Sequence, residues 1–586
     1  MSIWKLKRTN VNTAKMAEAL NVREPVACVL ANRKIGTFSG AKRFLDCDIN
    51  SLYDGKLFKD AVKGCKIIKN AVLSNKKIAV YGDYDVDGVM STTILYKTLK
   101  YLGADVIFYL PHRQKEGYGM NCDAVRELKE SGIDVILTCD NGIAAVEEIA
   151  LAKELGITTV VLDHHECQYS ENENGEKTIK LPPSDAVIDA KQPLCEYPFK
   201  FLCAGAMSYK FAKLLFETFN KEFVFDKEFL SFAAVATVCD IVDMLDENRI
   251  IVKNGLKELT RTTDTGMRAL INLTGISDRE INEYHAGFVI GPCINATGRL
   301  ESATTAVRLF TENDYNKAYE LAKELVDLNA ERKEMTLGAV ERAKELVLNS
   351  ELKNDRVLVL YDESVHESIA GIVAGRIKEM FYKPVIMITN SGDMAKGSAR
   401  SIEAYNIFEE LLKCNDLFIK FGGHPMAAGL SLKKENVNIL RKRLNENCSL
   451  TQKELTSVIR IEKELSFNDI DITLAKQLEA LAPFGKECPV PIFGTKKVFI
   501  KKVSLLGKKR DIIKFMLYNE DSRNLIDGIS FDGYEKFTSL IESKNYTIEE
   551  VVCSSVPICM DIVYCIRINR FNGRESVQLE IKDFRF

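Results

Sequence analysis

Aspartate and histidine recur at three short places in the first third of the sequence. Asp83, Asp85 and Asp87 lie in GDYDVDG, Asp140 in TCDNG, and Asp163, His164 and His165 in LDHH. Carboxylate oxygens and imidazole nitrogens in this mixture suit Mn²⁺ or Mg²⁺ better than a thiolate-seeking metal. A further carboxylate, Asp240, stands in the apolar stretch FLSFAAVATVCDIVDML. There it is costly to bury unless paired or metal-bound; the alternative is a wet helix face shared with Asp243. Gathered in one crevice, this much negative charge repels itself unless cations neutralise it. With five or more oxygen ligands, two ions about 3.5–4 Å apart can be held, polarising a phosphate and generating a hydroxide nucleophile.

Two simpler explanations compete with this. Asp83-x-Asp85-x-Asp87-Gly88 opens like an EF-hand loop, but its twelfth position is Ile94 instead of Glu, and a strand instead of a helix precedes it. Aspartates also cap turns and helix N-termini. One of them could do so, but all of them falling at strand ends would be a coincidence.

The elements that must position these residues are legible from hydrophobic pattern. Segments 78–81, 105–110, 134–138, 158–162 and 186–188 are short, apolar and rich in β-branched residues, as buried strands are. Between them, 91–102, 122–131 and 144–155 have helical spacing. This alternation predicts an α/β fold with a doubly wound parallel sheet. The carboxyl ends of such strands line one crevice where ligands bind, so three strand ends would deliver the aspartates and histidines to one place.

Beyond 190 the pattern turns helical, with 229–245 and 314–347 as the longest candidates, and a second, smaller α/β stretch runs from 357 to about 450. The runs 497–504, 512–517 and 561–568 then predict a small β-barrel. Segment 170–184 reads as a polar surface loop. The expected division is an N-terminal segment 1–60, a core domain 61–250, a helical connector 251–350, a second α/β domain 351–450 and a barrel domain 451–586.

Composition excludes little. The net charge of −3 means that a polyanion would have to be met by local basic patches. The 16 cysteines never fall at C-x-x-C spacing and read as reduced, packed thiols. No apolar run approaches the ~18 residues that span a bilayer, and MSIWKLKRTN lacks a signal-peptide core, so a cytoplasmic protein, expected to be monomeric, is anticipated.

With those residues in view, VYGDYDVDGVMST, LTCDNG, LDHH and ATVCDIV resemble, in order, the four motifs of the DHH phosphoesterase superfamily. KGSARS and FGGHPMAAGL resemble its DHHA1 domain. PHRQKEGYGMN, LDENRIIVKNGL, GPCINATGRL, ESIAGIVAGRI, LAPFGKECPVPIF and NRFNGRESVQLEIKDFRF resemble the RecJ branch, over nearly the whole chain from about residue 60. That resemblance implies a 5′→3′ exonuclease specific for single-stranded DNA, acting in repair and recombination. It implies a two-ion Mn²⁺ or Mg²⁺ centre, a DHHA1 domain facing it across a narrow groove, and a terminal OB-fold for single strands. A single-strand-binding protein and a RecQ-type helicase are the partners it implies.

Carried over by position, Asp85, Asp87, Asp140, His164 and Asp240 match metal ligands, with Asp83 in the same motif. The chemistry is assigned to Asp85, Asp140 and His165, with His165 contacting the scissile phosphate. Arg113, Arg299, Ser398 and Arg400 match positions that hold substrate phosphates, the terminal 5′-phosphate included, and His424 would reach the substrate from the DHHA1 side. Five of the six histidines, at 112, 164, 165, 366 and 424, fall in segments with this resemblance; His285 reads as structural. Ala236, Cys239, Cys293 and the Lys486–Cys488 stretch of PFGKEC depart from the usual pattern, which bears on strand binding more than on the chemistry.

The run TKKVFIKKVSLLGKKR places Lys496, Lys497, Lys501 and Lys502 about the barrel's first strand, with Phe499 and Phe571 as stacking faces. Lysines also protect solvated edge strands, which is the competing account. Other DHH enzymes, such as an oligoribonuclease or a cyclic-dinucleotide phosphodiesterase, use similar motifs in shorter chains without the barrel. A scaffold that had lost its ligands is disfavoured because every expected ligand is present.

Overall fold

The structure is a computed structural model that describes residues 2–113, 115–117, 119–171, 177–520, 522–553 and 558–586. The chain divides into two compact units, one of residues 53–242 and 254–457, the other of residues 1–52, 243–253 and 458–586.

The larger unit opens on five parallel strands in spatial order Asp105–Tyr109, Lys77–Tyr81, Val135–Thr138, Thr158–Leu162 and Ala186–Ile188. Strand order reverses between Lys77–Tyr81 and Val135–Thr138, and it is from these two ends that Asp83, Asp85, Asp87 and Asp140 emerge. Open α/β sheets place their ligands at such a reversal. Every residue of Val135–Thr138 is buried, as expected of a strand covered on both faces.

Three expectations need correction. The first helix spans Val86–Tyr101, earlier than 91–102, because the Asp85 side chain caps it by accepting from the Gly88 amide at 3.1 Å. The helix expected over 229–245 is Asp226–Cys239, and Asp240 is its C-terminal cap, not an interior residue. Ile241 then takes a left-handed φ of 56° and breaks the helix. The segment read as a loop over 170–184 carries a short hairpin, Gln168–Glu171 against Lys177–Lys180; residues 172–176 lie outside the described residues.

The same unit holds the 34-residue helix Tyr315–Leu348 and a second, mixed sheet in the order Phe418–His424, Ala427–Lys433, Met394–Arg400, Val385–Ser391, Leu358–Tyr361. Helix Ala370–Phe381 buries Ala370, Val373, Ala374 and Ile377 in the core beneath this sheet.

The smaller unit is a closed five-stranded barrel. Phe493–Leu506 pairs with both Ile512–Asn519 and Cys559–Phe571, and Ser522–Ser530 with Arg574–Arg585 completes the circuit. The lysines expected to flank the first strand lie within it, and Phe499 stacks on Tyr518 at 5.3 Å. Strand Ile3–Leu6 runs parallel to Val458–Ile461, and Trp4 donates its indole N–H to Asp583 at 2.9 Å. Arg249, 1% exposed, donates to the carbonyls of Phe44, Leu481, Ala482 and Pro483 at 2.8–2.9 Å. Three of those carbonyls follow helix Ile472–Glu479, whose C-terminal partial charge the guanidinium complements. Among the described residues no helix is long and apolar enough to cross a membrane.

Candidate active site

Each aspartate is placed by the turn that follows its strand. Asp87 lies in the first turn of Val86–Tyr101 and accepts from the amides of Ala204 at 2.7 Å and Gly205 at 2.6 Å, at the start of helix Ala204–Thr218. Gly88 is obligatory there, since a Cβ would stand 2.4 Å from the Asp83 carbonyl oxygen. Asp140 is buried with a left-handed φ of 64°, a strained conformation of the kind held at functional sites.

The imidazole of His164 ties the strand ends together. Its Nε2 lies 3.1 Å from Asp140 Oδ1, 3.5 Å from Asp87 Oδ2 and 3.8 Å from Asp240 Oδ2. Two groups of candidate ligand atoms, Asp87 with His164 and Asp240, and Asp83 with Asp85 and Asp140, each fall within 4.8 Å of one another, and a third, of Asp140, Asp163, His164 and His165, shares a member with each. Thus Asp83, Asp85, Asp87, Asp140, His164 and Asp240, drawn from the sheet and the helix end, converge.

The electrostatics fit a divalent cation. Both oxygens of Asp83 are buried without a hydrogen-bond partner among the described residues. Burial and the charge of Asp85 push its carboxyl up to about 8. Burial and the charge of Asp87 do the same for Asp240, also to about 8. Burial and Asp85 lift Asp87 to about 6, and burial with Asp87, Asp85 and Asp83 holds Asp140 well above the carboxylate range. Such groups repel one another until a cation compensates them. Burial and its cationic neighbour His165 depress His164 to about 3, leaving it neutral with a lone pair for a metal.

His165 behaves oppositely. Burial disfavours its charge, but the hydrogen bond from Nδ1 to Asp163 Oδ1 at 2.8 Å and the Asp163 charge raise it to about 9. Asp163 itself, despite burial, falls to about 2 through His165 and accepts from the amides of Ile143 and His164 as well. It is a positioning residue that the sequence offered, as the Asp of LDHH, without revealing its role.

Beside this cluster a cavity of about 410 Å³ is lined by Tyr84, Arg113, Ser368, Lys396, Ser398 and Lys420, among others. Arg113 lies over the Tyr84 ring at 5.1 Å. Arg400 donates to Ser398 Oγ at 3.2 Å, and both face Gly371, whose Cβ would come within 2.8 Å of them. Arg299 donates to the Ser368 carbonyl at 2.8 Å; burial and the charges of Arg113, Arg332 and Arg400 lower it to about 10. Guanidiniums crowded in this way call for an anion.

Arg332, held by Asn329 Oδ1 at 2.9 Å, and Lys396 and Lys420 were not anticipated; Arg332 lies outside the quoted motifs, whereas Lys396 opens KGSARS and Lys420 directly precedes FGGHPMAAGL. Asn329 in turn donates to Cys293 Sγ at 3.3 Å. His424 is at the exposed end of Phe418–His424 and does not line the cavity. His285 forms a capping box with Asn282, as a structural residue would.

Comparison with known proteins follows this anatomy. Residues 77–237 match the DHH family, N-terminal domain; 354–450 match the DHHA1 domain; and 461–583 match the RecJ OB domain. The single-stranded-DNA-specific exonuclease RecJ of Bacillus subtilis is 36% identical over 585 residues, covering 99% of this chain and 70% of that protein. The Dickeya dadantii protein of the same name is 30% identical, covering 92% of each chain. In fold, the crystal structure of RecJ in complex with Mn²⁺ from Thermus thermophilus matches with a TM-score of 0.80 at 24% identity, over 100% of this chain and 79% of that one.

Proposed function

Because this chain belongs to the RecJ family of single-stranded-DNA-specific exonucleases, we propose that it hydrolyses the phosphodiester bonds of single-stranded DNA from a 5′ end, in DNA repair and recombination. The observation that carries this reading is the convergence of carboxylates and His164 at the sheet's reversal point, beside a cavity lined by Arg113, Lys396 and Lys420 with Arg299 and Arg400 close by.

Asp85, Asp87, Asp140, His164 and Asp240, with Asp83, would hold two Mn²⁺ or Mg²⁺ ions; solved RecJ structures from Thermus thermophilus contain one or the other. Bound there, such ions supply Lewis acidity toward the phosphoryl oxygens and lower the cost of forming the nucleophile. The chain's own groups do the rest. His165, kept protonated by Asp163, donates toward the non-bridging oxygen on which charge builds. Arg113, Arg299 and Arg400 with Ser398 bind the terminal phosphate, and Tyr84 offers a ring at the cavity wall. Fixing that terminus presents the next phosphodiester to the cluster.

The barrel, with its lysines and the Phe499–Tyr518 stack, would itself bind single-stranded DNA. We read the protein as a cytoplasmic monomer that meets its substrate with a single-strand-binding protein and a RecQ-type helicase.

The test is digestion, with Mn²⁺, of internally labelled single-stranded DNA blocked at one end or the other, beside matched RNA and blunt duplex. Digestion halted only by the 5′ block, with duplex spared, is expected. Cleavage of short RNA with long DNA untouched would refute the reading.

A further inference from the structure

A pair of aromatic rings stands in water one packing layer from the catalytic cluster. Tyr284 and Phe288 are 60% and 68% exposed and stack on each other with centroids 5.3 Å apart and planes 21° from parallel. Single exposed apolar side chains are commonplace; a stacked pair held on rigid backbone is not. The backbone beneath is unusual too, because residues Ala286–Ile290 form a π-helical turn, a distortion concentrated at functional sites.

The position of these rings is fixed by close contacts. Gly291 can only be glycine, since a Cβ would stand 2.4 Å from Cys239 Sγ, and a Cβ on Gly287 would meet Val238 at 3.3 Å. Val238 and Cys239 are the two residues before Asp240. Further on, Gly298 packs so closely on Tyr84, between Asp83 and Asp85, that a Cβ would fall 2.4 Å from its carbonyl oxygen. The next residue is Arg299. The helical run from Glu283 to Leu300 therefore carries the ring pair at one end and, at the other, Arg299 with its bond to the cavity residue Ser368, about 16–22 Å apart at helical rise. Between them it packs on Cys239, next to Asp240, and on Tyr84, between Asp83 and Asp85.

We propose that Tyr284 and Phe288 form a stacking platform for bases of the single DNA strand on the far side of the scissile bond from the terminal phosphate. This rests on the exonuclease reading. With the 5′-phosphate at Arg299, a strand crossing the cluster continues toward the ring pair, so the platform holds bases 3′ of the cleaved bond. Bases of an unpaired strand expose π faces that any sequence presents, and aromatic side chains bind them without reading identity. A paired strand keeps its bases stacked, so the platform would favour single strands in addition to any exclusion by width.

The test uses the full chain in EDTA, where no turnover occurs, with fluorescence anisotropy of a 5′-phosphorylated oligothymidylate. An abasic residue is moved along the oligonucleotide one position at a time. Phe288→Ala is expected to weaken binding about 5- to 100-fold, Phe288→Leu to weaken it similarly, and Phe288→Trp to restore it. In the unmodified protein one or two abasic positions, 3′ of the terminal nucleotide, should cost a comparable factor, and that cost should vanish in Phe288→Ala. Unchanged affinity in Phe288→Ala, or an abasic penalty that persists in it at every position, would overturn the platform and leave the ring pair for a protein partner. If the unmodified protein binds no single-stranded DNA, the exonuclease reading itself fails, a result distinguishable from either.

Discussion

Replacing Asp163 by Asn isolates what this buried carboxylate does for His165. The substitution preserves shape but removes the charge, and an amide can offer only one acceptor oxygen where the carboxylate offers two. The carboxylate accepts from His164 N at 2.7 Å and His165 Nδ1 at 2.8 Å through Oδ1, and from Ile143 N at 2.9 Å through Oδ2. With its oxygen turned to the histidines, the amide nitrogen confronts the Ile143 N–H. His165, raised to about 9 chiefly by Asp163 against the cost of burial, loses that support but keeps the weaker influence of Asp240 and Asp87. Its side chain is 40% exposed, so water screens part of the effect and a full return to the ordinary value is not expected.

A fall to between about 7 and about 8 takes the protonated fraction at pH 8 from roughly 0.9 to between roughly 0.5 and 0.1. Because the raised pKa is what keeps the cation present, its loss matters as pH rises through this window and disappears below it. NMR titration of the histidines in metal-free protein reads the pKa directly. Activity with Mn²⁺ should drop about 2- to 10-fold at pH 8 and recover near pH 6.5. A His165 that still titrates near 9 in the variant, or an activity loss that is the same at both pH values, would refute the assignment.

The metal cluster makes its own pH prediction. Carboxyls raised in the folded protein stabilise it at acid pH, and that contribution is lost as pH rises through about 6 for Asp87 and about 8 for Asp83 and Asp240. Mn²⁺ should therefore raise the Tm strongly at about pH 8.5 and little at about pH 5.5, where protons compete; equal shifts would contradict the cluster assignment. Arg299→Ala should weaken use of 5′-phosphorylated ends about 10-fold or more while sparing 5′-hydroxyl ends, measured as kcat/KM on the two substrates. Equal losses would remove it from terminal-phosphate binding. Arg249→Met should destabilise the barrel unit by about 3–5 kcal/mol, because four buried carbonyls lose a charged donor. Urea unfolding followed through Trp4, the single tryptophan and a member of that unit, reads it without interference.

Pattern was most informative where one physical rule dominates. The five parallel strands were legible because a fully buried strand is a short apolar run, and the strand-end aspartates followed from the geometry of such sheets. The end of helix Asp226–Cys239 was not legible, because Ile241, Val242 and Met244 continue the apolar spacing while backbone geometry ends the helix at Asp240. Asp163 was visible as a residue, yet its hydrogen bonds depend on amides brought by a neighbouring turn. Arg332 lies in a helix of ordinary charged periodicity, and only the fold brings its charge near Arg299. The same holds for Arg249, in LDENRIIVKNGL, whose four acceptors come from residues about 200 positions away on either side.

The discontinuity of the smaller unit bears on the order in which the protein can be made. Residues 1–52 leave the ribosome before the rest of their unit, and the strand that pairs with Ile3–Leu6 begins at Val458. At about 5–20 residues per second the opening segment waits roughly 20–80 s for its partner, while the nuclease sheet and its cluster, complete far earlier, can already have folded. Helix segment 243–253 waits with it, tethered at both ends to the finished unit. The apolar residues Val26, Val29, Leu30 and Phe44, buried in the mature protein, are exposed for that interval. Chaperone demand should fall on this early segment, and a ribosome stalled before residue 458 releases a chain whose nuclease unit is whole but whose first 52 residues have only segment 243–253 of their own unit to pack against.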